Sequence, residues 1–378
     1  MSGRIDARQD ARSSPVEIHT MKIGSVQLDH PTALAPMAGM TDTAFRRLVK
    51  RAGGCGLVVT EMVSSEGIVR GIDRTLEYAE YTEEERPVSI QIFGGDPVKM
   101  ADAAQIIEGM GADIVDINMG CPVPKIAKHH AGCSLMREPE HAASVVRAMA
   151  RAVRIPVTVK MRAGWNAQEV NAPLLARMVE DAGAAAVAVH GRTAAQSYSG
   201  ESDWSLIAQV AAAVSIPVFG SGDCVEPGQV VARLASDQVS GVLVGRGALR
   251  NPWIFRDAAR LAAGLPVQST TLEERGQFLS DYLTLLLTER LDEASGFRHV
   301  APGQERAAGA VFESRVARGR ERWIINKIRA LGAWYTKGLE SGGQLRVAVN
   351  QTESVDELKD LIRGFFFEGE RAQTTPTH

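Results

Sequence analysis

Residues 88–122 read VSIQIFGGDPVKMADAAQIIEGMGADIVDINMGCP. An apolar run at Val88–Phe93 gives way to a helical period over Pro97–Met110, and a second apolar run follows at Asp113–Asn118. Runs of this length bounded by glycine read as strands, and the 3.6-residue period between them reads as a helix. The stretch is one strand–helix–strand unit.

The unit recurs on both sides. Runs rich in Val, Ile, Leu and Ala lie at Thr32–Pro36, Leu57–Glu61, Val157–Met161, Ala185–His190, Val218–Ser221 and Val242–Gly245, which makes eight. Helical stretches at Glu140–Ala152, Val170–Ala182 and Trp204–Val214 separate several of them. Eight such units predict an α/β protein built on a (β/α)8 TIM barrel. A doubly wound sheet would call for a G-x-G-x-x-G turn after an early strand, and the chain has none there. The barrel is expected over residues 21–264, after a flexible tail at 1–20. Asn251–Leu261 reads as its closing helix and Leu265–Thr271 as a linker. Residues 272–378 read as a separate helical domain, with amphipathic stretches near Glu273–Leu291, Glu321–Lys337 and Ser354–Phe366 and a loop at Ser295–Ala310.

Hydrophobic residues make up 45% and charged residues 23% of the 378, ordinary values for a globular protein with a sizeable core. No apolar run is long enough for a membrane span and the first twenty residues lack a signal-peptide core, so a cytoplasmic protein with no membrane partner is expected. Cys55, Cys121, Cys133 and Cys224 have no paired spacing, so free thiols and no metal site are expected. Charge is uneven. Residues 290–350 hold eleven Lys/Arg against six Asp/Glu, a surplus of five, which leaves −8 for the rest of a chain whose net charge is −3. That basic segment is either a solvated helix face or a polyanion-binding surface.

Barrel active sites sit where strands end. Here strand 1 ends in Pro36-Met37-Ala38-Gly39, strand 2 in Glu61 and strand 4 in Asn118 and Cys121. Strand 3 carries Gln91, strand 5 Lys160 and Arg162, and strand 6 His190 and Arg192. Strands 7 and 8 run into Ser221-Gly222-Asp223 and Gly245-Arg246-Gly247. Glycine turns after the last two strands let backbone N–H groups approach a phosphate, and Arg246 adds a charge-assisted contact. Lys160, deep in an apolar strand, needs an electron-rich partner, or is a Schiff-base lysine. Gln91 offers a donor and an acceptor, as a heteroaromatic ring with alternating N–H and C=O groups requires. Gly120 and Pro122 restrain the turn that carries Cys121, so the thiol is aimed; a small buried thiol capping the strand is the plainer alternative. Together these features suit flavin mononucleotide (FMN), with Cys121 as an acid opposite the hydride.

The motifs resemble those of the tRNA-dihydrouridine synthase family, closest in character to its bacterial B-type branch. The resemblance is carried by Ala35-Pro36-Met37-Ala38-Gly39-Met40-Thr41-Asp42 with Phe45-Arg46, by Thr60-Glu61-Met62, and by Asp116-Ile117-Asn118-Met119-Gly120-Cys121-Pro122. It continues through Val159–Trp165, His190-Gly191-Arg192-Thr193, Gly222-Asp223 and Gly245-Arg246. It implies reduction of the uridine C5=C6 bond in tRNA, with hydride from reduced FMN to C6 and a proton from Cys121 to C5, the flavin being re-reduced by NADPH or NADH. It makes Pro36, Met37, Ala38, Gln91, Lys160, His190, Ser221, Gly222, Asp223, Gly245 and Arg246 flavin-binding, and Asn118 and Arg162 contacts to the target base. A monomer is expected. Ser221 stands where the family usually has Asn, Cys133 where it has a small residue, and an insertion spans about 295–320. On this reading the basic segment holds tRNA, with Arg315, Arg318, Arg320, Arg322, Lys327 and Arg329 the contributors. Two alternatives remain open: an FMN barrel acting on a free pyrimidine such as dihydroorotate, and an RNA-binding module with a vestigial flavin site.

Overall fold

A computed structural model describes residues 20–127, 130–236, 238–288 and 315–368. The chain begins with a hairpin, β1 (Met21–Ile23) against β2 (Val26–Leu28), antiparallel with Met21 opposite Leu28. Then come β3 (Thr32–Leu34), β4 (Leu57–Val59), the two-residue β5 (Val63–Ser64), β6 (Val88–Phe93), β7 (Ile114–Met119), β8 (Val157–Arg162), β9 (Ala186–His190), β10 (Val218–Ser221) and β11 (Gly241–Val244). Neighbours pair in parallel in the order β4-β3-β11-β10-β9-β8-β7-β6, and β4 pairs with β6, which closes an eight-stranded barrel. All eight expected strands are present.

The hairpin is an element the sequence reading missed, and it fixes which end of the barrel is open. Ile23 and Leu28 are buried and pack with Ala33, Leu57, Ala186, Phe219 and Leu243, the residues that fill the barrel interior. Phe219 takes so much of that space that a Cβ on Gly241 would lie 2.4 Å from its ring, so only glycine fits there. With this end packed, a ligand enters only at the C-terminal mouth.

The C-terminal helices Leu272–Thr288, Arg315–Tyr335 and Val355–Arg363 match the three expected stretches, and the structure adds Gly342–Gln351. The expected loop at Ser295–Ala310 lies outside the described residues. Helix Leu272–Thr288 packs on Thr43–Ala52, the helix after β3: Phe45 meets Phe278 edge-on at 6.1 Å and Tyr282 at 6.3 Å between ring centres. One apolar core therefore runs from barrel into helices. Among the described residues no helix is long and apolar enough to cross a membrane.

Candidate active site

Side chains along a strand alternate between faces, so Thr158, Lys160 and Arg162 of β8 share one face, as do Asp116 and Asn118 of β7. The strand register turns this alternation into levels. Gln91, Asp116 and Thr158 lie side by side on β6, β7 and β8; Asn118 is level with Lys160; and Arg162, His190 and Ser221 form the level nearest the mouth. Polar residues at this depth need partners. Asp116 accepts from Thr158 Oγ1 at 2.5 Å and from Gln91 Nε2 at 2.7 Å, and Gln91 Oε1 accepts from Asn118 Nδ2 at 2.8 Å.

Cys121 follows β7 by two residues and is half-buried. Its turn is held from two sides. Asn118 Oδ1 accepts the amides of Gly120 (3.1 Å) and Cys121 (2.9 Å), and the Cys121 carbonyl accepts the Cys133 amide at 3.1 Å. Gly132, with φ +60°, makes the second contact feasible, because a Cβ there would lie 2.8 Å from the Cys121 oxygen. Cys133 itself is fully buried, and burial pushes its thiol up to about 11. Of the two thiols, Cys121 is the one that reaches the mouth.

The mouth is cationic from β8, beside the Cys121 strand, round to the turn after β11. Arg192 and Arg246 both reach Asp223, at 2.8 and 3.3 Å, and Asp223 also accepts the Ser202 amide. Arg162 ties three loops together: Nε donates to Gly120 O at 2.8 Å, and Nη1 to the carbonyls of Thr193 and Ser197 at 2.9 Å each. Burial, and then Lys160, Arg162, Arg192 and Arg246 in turn, pull His190 down to about 2, so its imidazole is neutral. Burial, and then Arg162, bring the buried Lys160 ammonium down to about 8, against the opposing pull of Asp116 and Cys121. Four cations gathered around His190, with Asp223 and Asp116 the anions they reach, give this part of the mouth a field that favours an anionic ligand. The helix that starts at Arg246 has no side-chain cap, and its third amide, that of Ala248, donates to Gly245 O at 2.9 Å.

At the β3 rim, Pro36, Met37, Ala38 and Gly39 form a turn in which Thr41 Oγ1 accepts the Met37 amide at 3.0 Å. The turn is pinned from the C-terminal helices. Lys327 Nζ lies 2.9 Å from the Gly39 carbonyl, 2.9 Å from Asp42 and 3.4 Å from Glu61, and Tyr282 donates to Asp42 at 2.8 Å. The two carboxylates hold the ammonium charged against its burial.

Lys327, expected as a tRNA contact, is thus engaged in docking the helices, and Arg320 and Arg329 also have partners within the protein. Arg320 donates to the carbonyls of Leu286 and Leu287 in helix Leu272–Thr288, and Arg329 to those of Val349 and Thr352 at the end of helix Gly342–Gln351. Helix ends leave carbonyls unpaired, and a basic side chain from the neighbouring helix satisfies them. Arg322 is exposed, and the side chains of Arg315 and Arg318 are outside the described set. We expect Lys327→Met to cost about 3–5 kcal/mol in denaturant unfolding at neutral pH, since it strands the largely buried carboxylates of Asp42 and Glu61. A change under ~1 kcal/mol would mean that solvent already screens the pair.

The sequence reading did not single out Tyr198. It is 62% exposed, with the guanidinium carbons of Arg162 and Arg246 at 5.8 and 5.2 Å from its ring centre. An exposed aromatic ring in a loop gives no periodic signal, and only the fold brings it beside both arginines.

A closed parallel barrel with a packed base, an aimed thiol and cations at its C-terminal mouth defines a TIM barrel with an enzyme-like site at that mouth. The chain belongs to the dihydrouridine synthase family, whose model matches residues 33–368. It is 36% identical over 347 residues to tRNA-dihydrouridine synthase B of Xanthomonas axonopodis pv. citri, covering 92% of this chain and 96% of that one. Against tRNA-dihydrouridine synthase B of Pseudomonas aeruginosa it is 36% identical over 349 residues with the same coverage. A probable tRNA-dihydrouridine synthase of Rhodobacter capsulatus is 42% identical over 267 residues, 70% of this chain and 81% of its own. Among solved structures, a morphinone reductase variant in complex with tetrahydroNAD superposes with TM-score 0.51 at 15% identity, covering 78% of this chain and all of that one. Histamine dehydrogenase from Rhizobium gives 0.53 at 12% identity, over 70% and 51% of the two chains. These last two speak for the fold alone.

Proposed function

We propose that this chain reduces the C5=C6 bond of uridine in tRNA to 5,6-dihydrouridine, using FMN as its flavin and NADPH as reductant. The observation that carries the reading is the thiol of Cys121 at a barrel mouth where Lys160, Arg162, Arg192 and Arg246 gather around His190. When bound, reduced FMN supplies hydride to C6 of the base. The residues present fit it: the Gly222 and Gly245 turns with Arg246 suit its phosphate, and Lys160 suits the ring edge that becomes negative on reduction. Gly222 has φ +136°, and a Cβ there would sit 2.1 Å from Ser202 Oγ, so the close turn requires glycine. Ser221 adds its short, buried side chain beside that turn. Neutral His190 can give a single N–H to the ligand without adding a fifth positive charge.

The substrate side is the rim of Asn118, Cys121, Arg162 and Tyr198. A base drawn from folded tRNA can stack on the exposed Tyr198 ring between two guanidinium groups, where Asn118 and Arg162 reach its edge. Cys121 then gives its proton to C5. Backbone phosphates need cations outside the pocket, and exposed Arg322 on helix Arg315–Tyr335 is one such group.

Two measurements test the reading. Denatured protein should release FMN, identified by chromatography, and the holoenzyme with NADPH should convert uridine in unmodified tRNA to dihydrouridine. Release of FAD alone would overturn the cofactor. Equal activity on free uracil or dihydroorotate would favour a free-pyrimidine enzyme.

A further inference from the structure

The carboxylate of Asp116 lies one level below the site and touches none of the reacting groups, yet it begins a directed chain of hydrogen bonds that ends at Cys121. We propose that Asp116 is a positioning residue: through the side-chain amides of Gln91 and Asn118 it fixes the turn that aims the Cys121 thiol at the base. The inference rests on the reading of Cys121 as proton donor.

The chain has a polarity that its two ends dictate. At one end Asp116 accepts, and Gln91 turns its NH2 group toward Asp116 Oδ2, 2.7 Å away. Its carbonyl then faces the other way and accepts from Asn118 Nδ2 at 2.8 Å. At the far end the amides of Gly120 and Cys121 only donate, so Asn118 must present Oδ1 to them, at 3.1 and 2.9 Å. Reversing either amide sets two donors or two acceptors face to face, and burial makes such a mismatch costly. Asp116, Gln91 and Asn118 are all at least nine-tenths buried. Thr158 Oγ1 donates to the other oxygen of Asp116 and holds the carboxylate plane. Lys160 is the charged group that faces the same small cavity and favours the ionised carboxylate, against the burial that pushes it up.

The test exchanges the polarity at position 91 and reads the two half-reactions separately by stopped-flow flavin absorbance. One is reduction of the holoenzyme by NADPH; the other is anaerobic reoxidation of the reduced enzyme by tRNA. Gln91→Met, which frees Asn118 to turn over, should slow reoxidation roughly 10–10²-fold and slow reduction less, since a small misplacement of a reacting group has effects of that order. In Gln91→Glu the protonated acid copies the native polarity: its O–H donates to Asp116 and its C=O accepts from Asn118. Reoxidation should therefore approach the native rate at low pH and fall as pH rises and the proton leaves, in excess of any fall in the native enzyme. Adding Asp116→Asn to Gln91→Glu should remove that alkaline loss, because the Asn amide at 116 and Asn118 Nδ2 can both donate to the ionised Glu at 91. A Gln91→Glu profile parallel to the native one, or no recovery in the double variant, would overturn the proposal. If instead Cys121→Ala reoxidises at the native rate, it is the proton-donor reading that fails, whatever the position-91 variants do.

Discussion

Cys121→Ala should lower uridine reduction roughly 10²–10⁴-fold, the range a positioned general acid contributes, while NADPH still reduces the bound flavin at the native rate. The separation follows from the geometry. The contacts that hold the turn run through backbone atoms, the Cys121 amide to Asn118 and the Cys121 carbonyl to the Cys133 amide, and an alanine keeps both. Only the half-exposed thiol is lost. Cys133→Ala is the matched control. Its thiol is fully buried and pushed up to about 11, so it is neither placed nor inclined to give a proton to a base at the mouth. Single-turnover reoxidation of reduced enzyme by tRNA reads the step directly. Equal losses in the two variants, or a larger one at Cys133, would assign the proton to another group.

Each barrel strand was legible because helices cover its outer face and the packed barrel interior its inner one, which writes it into the sequence as an apolar run such as Ala186–Val189 before His190. The polar residues that break those runs do so at one end, so the mouth and most of its residues were legible too. The hairpin Met21–Leu28 was not, because two three-residue strands are too short for alternation to register.

What the sequence could not convey was pairing across strands and across distance. Gln91 read as a free donor and acceptor, whereas the register gives one end of its amide to Asp116 and the other to Asn118. The basic surplus of residues 290–350 was real as a count, but a count cannot tell a solvated arginine from one that caps a helix. Lys327 meets Glu61, 266 positions earlier in the chain, and Arg320 and Arg329 end on carbonyls of neighbouring helices. The basic segment thus spends three of its six named cations on docking and closing the helices. Lys327 grips the same Pro36–Gly39 turn that is proposed to border the flavin.

Lys160→Met should slow reduction of the flavin by roughly 10²–10³-fold, the usual loss when one preorganised donor to a developing charge is removed. It should also abolish a pH dependence of binding. In the ligand-free protein Lys160 holds its proton only up to about pH 8, because burial outweighs the pull of Asp116. Unfolded, the same lysine titrates near its ordinary value of 10.5, so between those values the unfolded chain carries more protons. From this group the folding free energy therefore improves as pH rises from about 8, and the variant should lack that rise. Binding of the flavin ring's hydrogen-bond-accepting edge beside Lys160 has the opposite sense. It favours the ammonium, so flavin affinity should fall as pH rises above about 8 in the native protein and stay level in Lys160→Met. Fluorescence titration of flavin binding between pH 6.5 and 9.5, in about half-unit steps around that value, reads both curves. Native flavin content and native NADPH kinetics in the variant would move Lys160 out of the flavin site and leave it a strand-end cation satisfied by Asp116 alone.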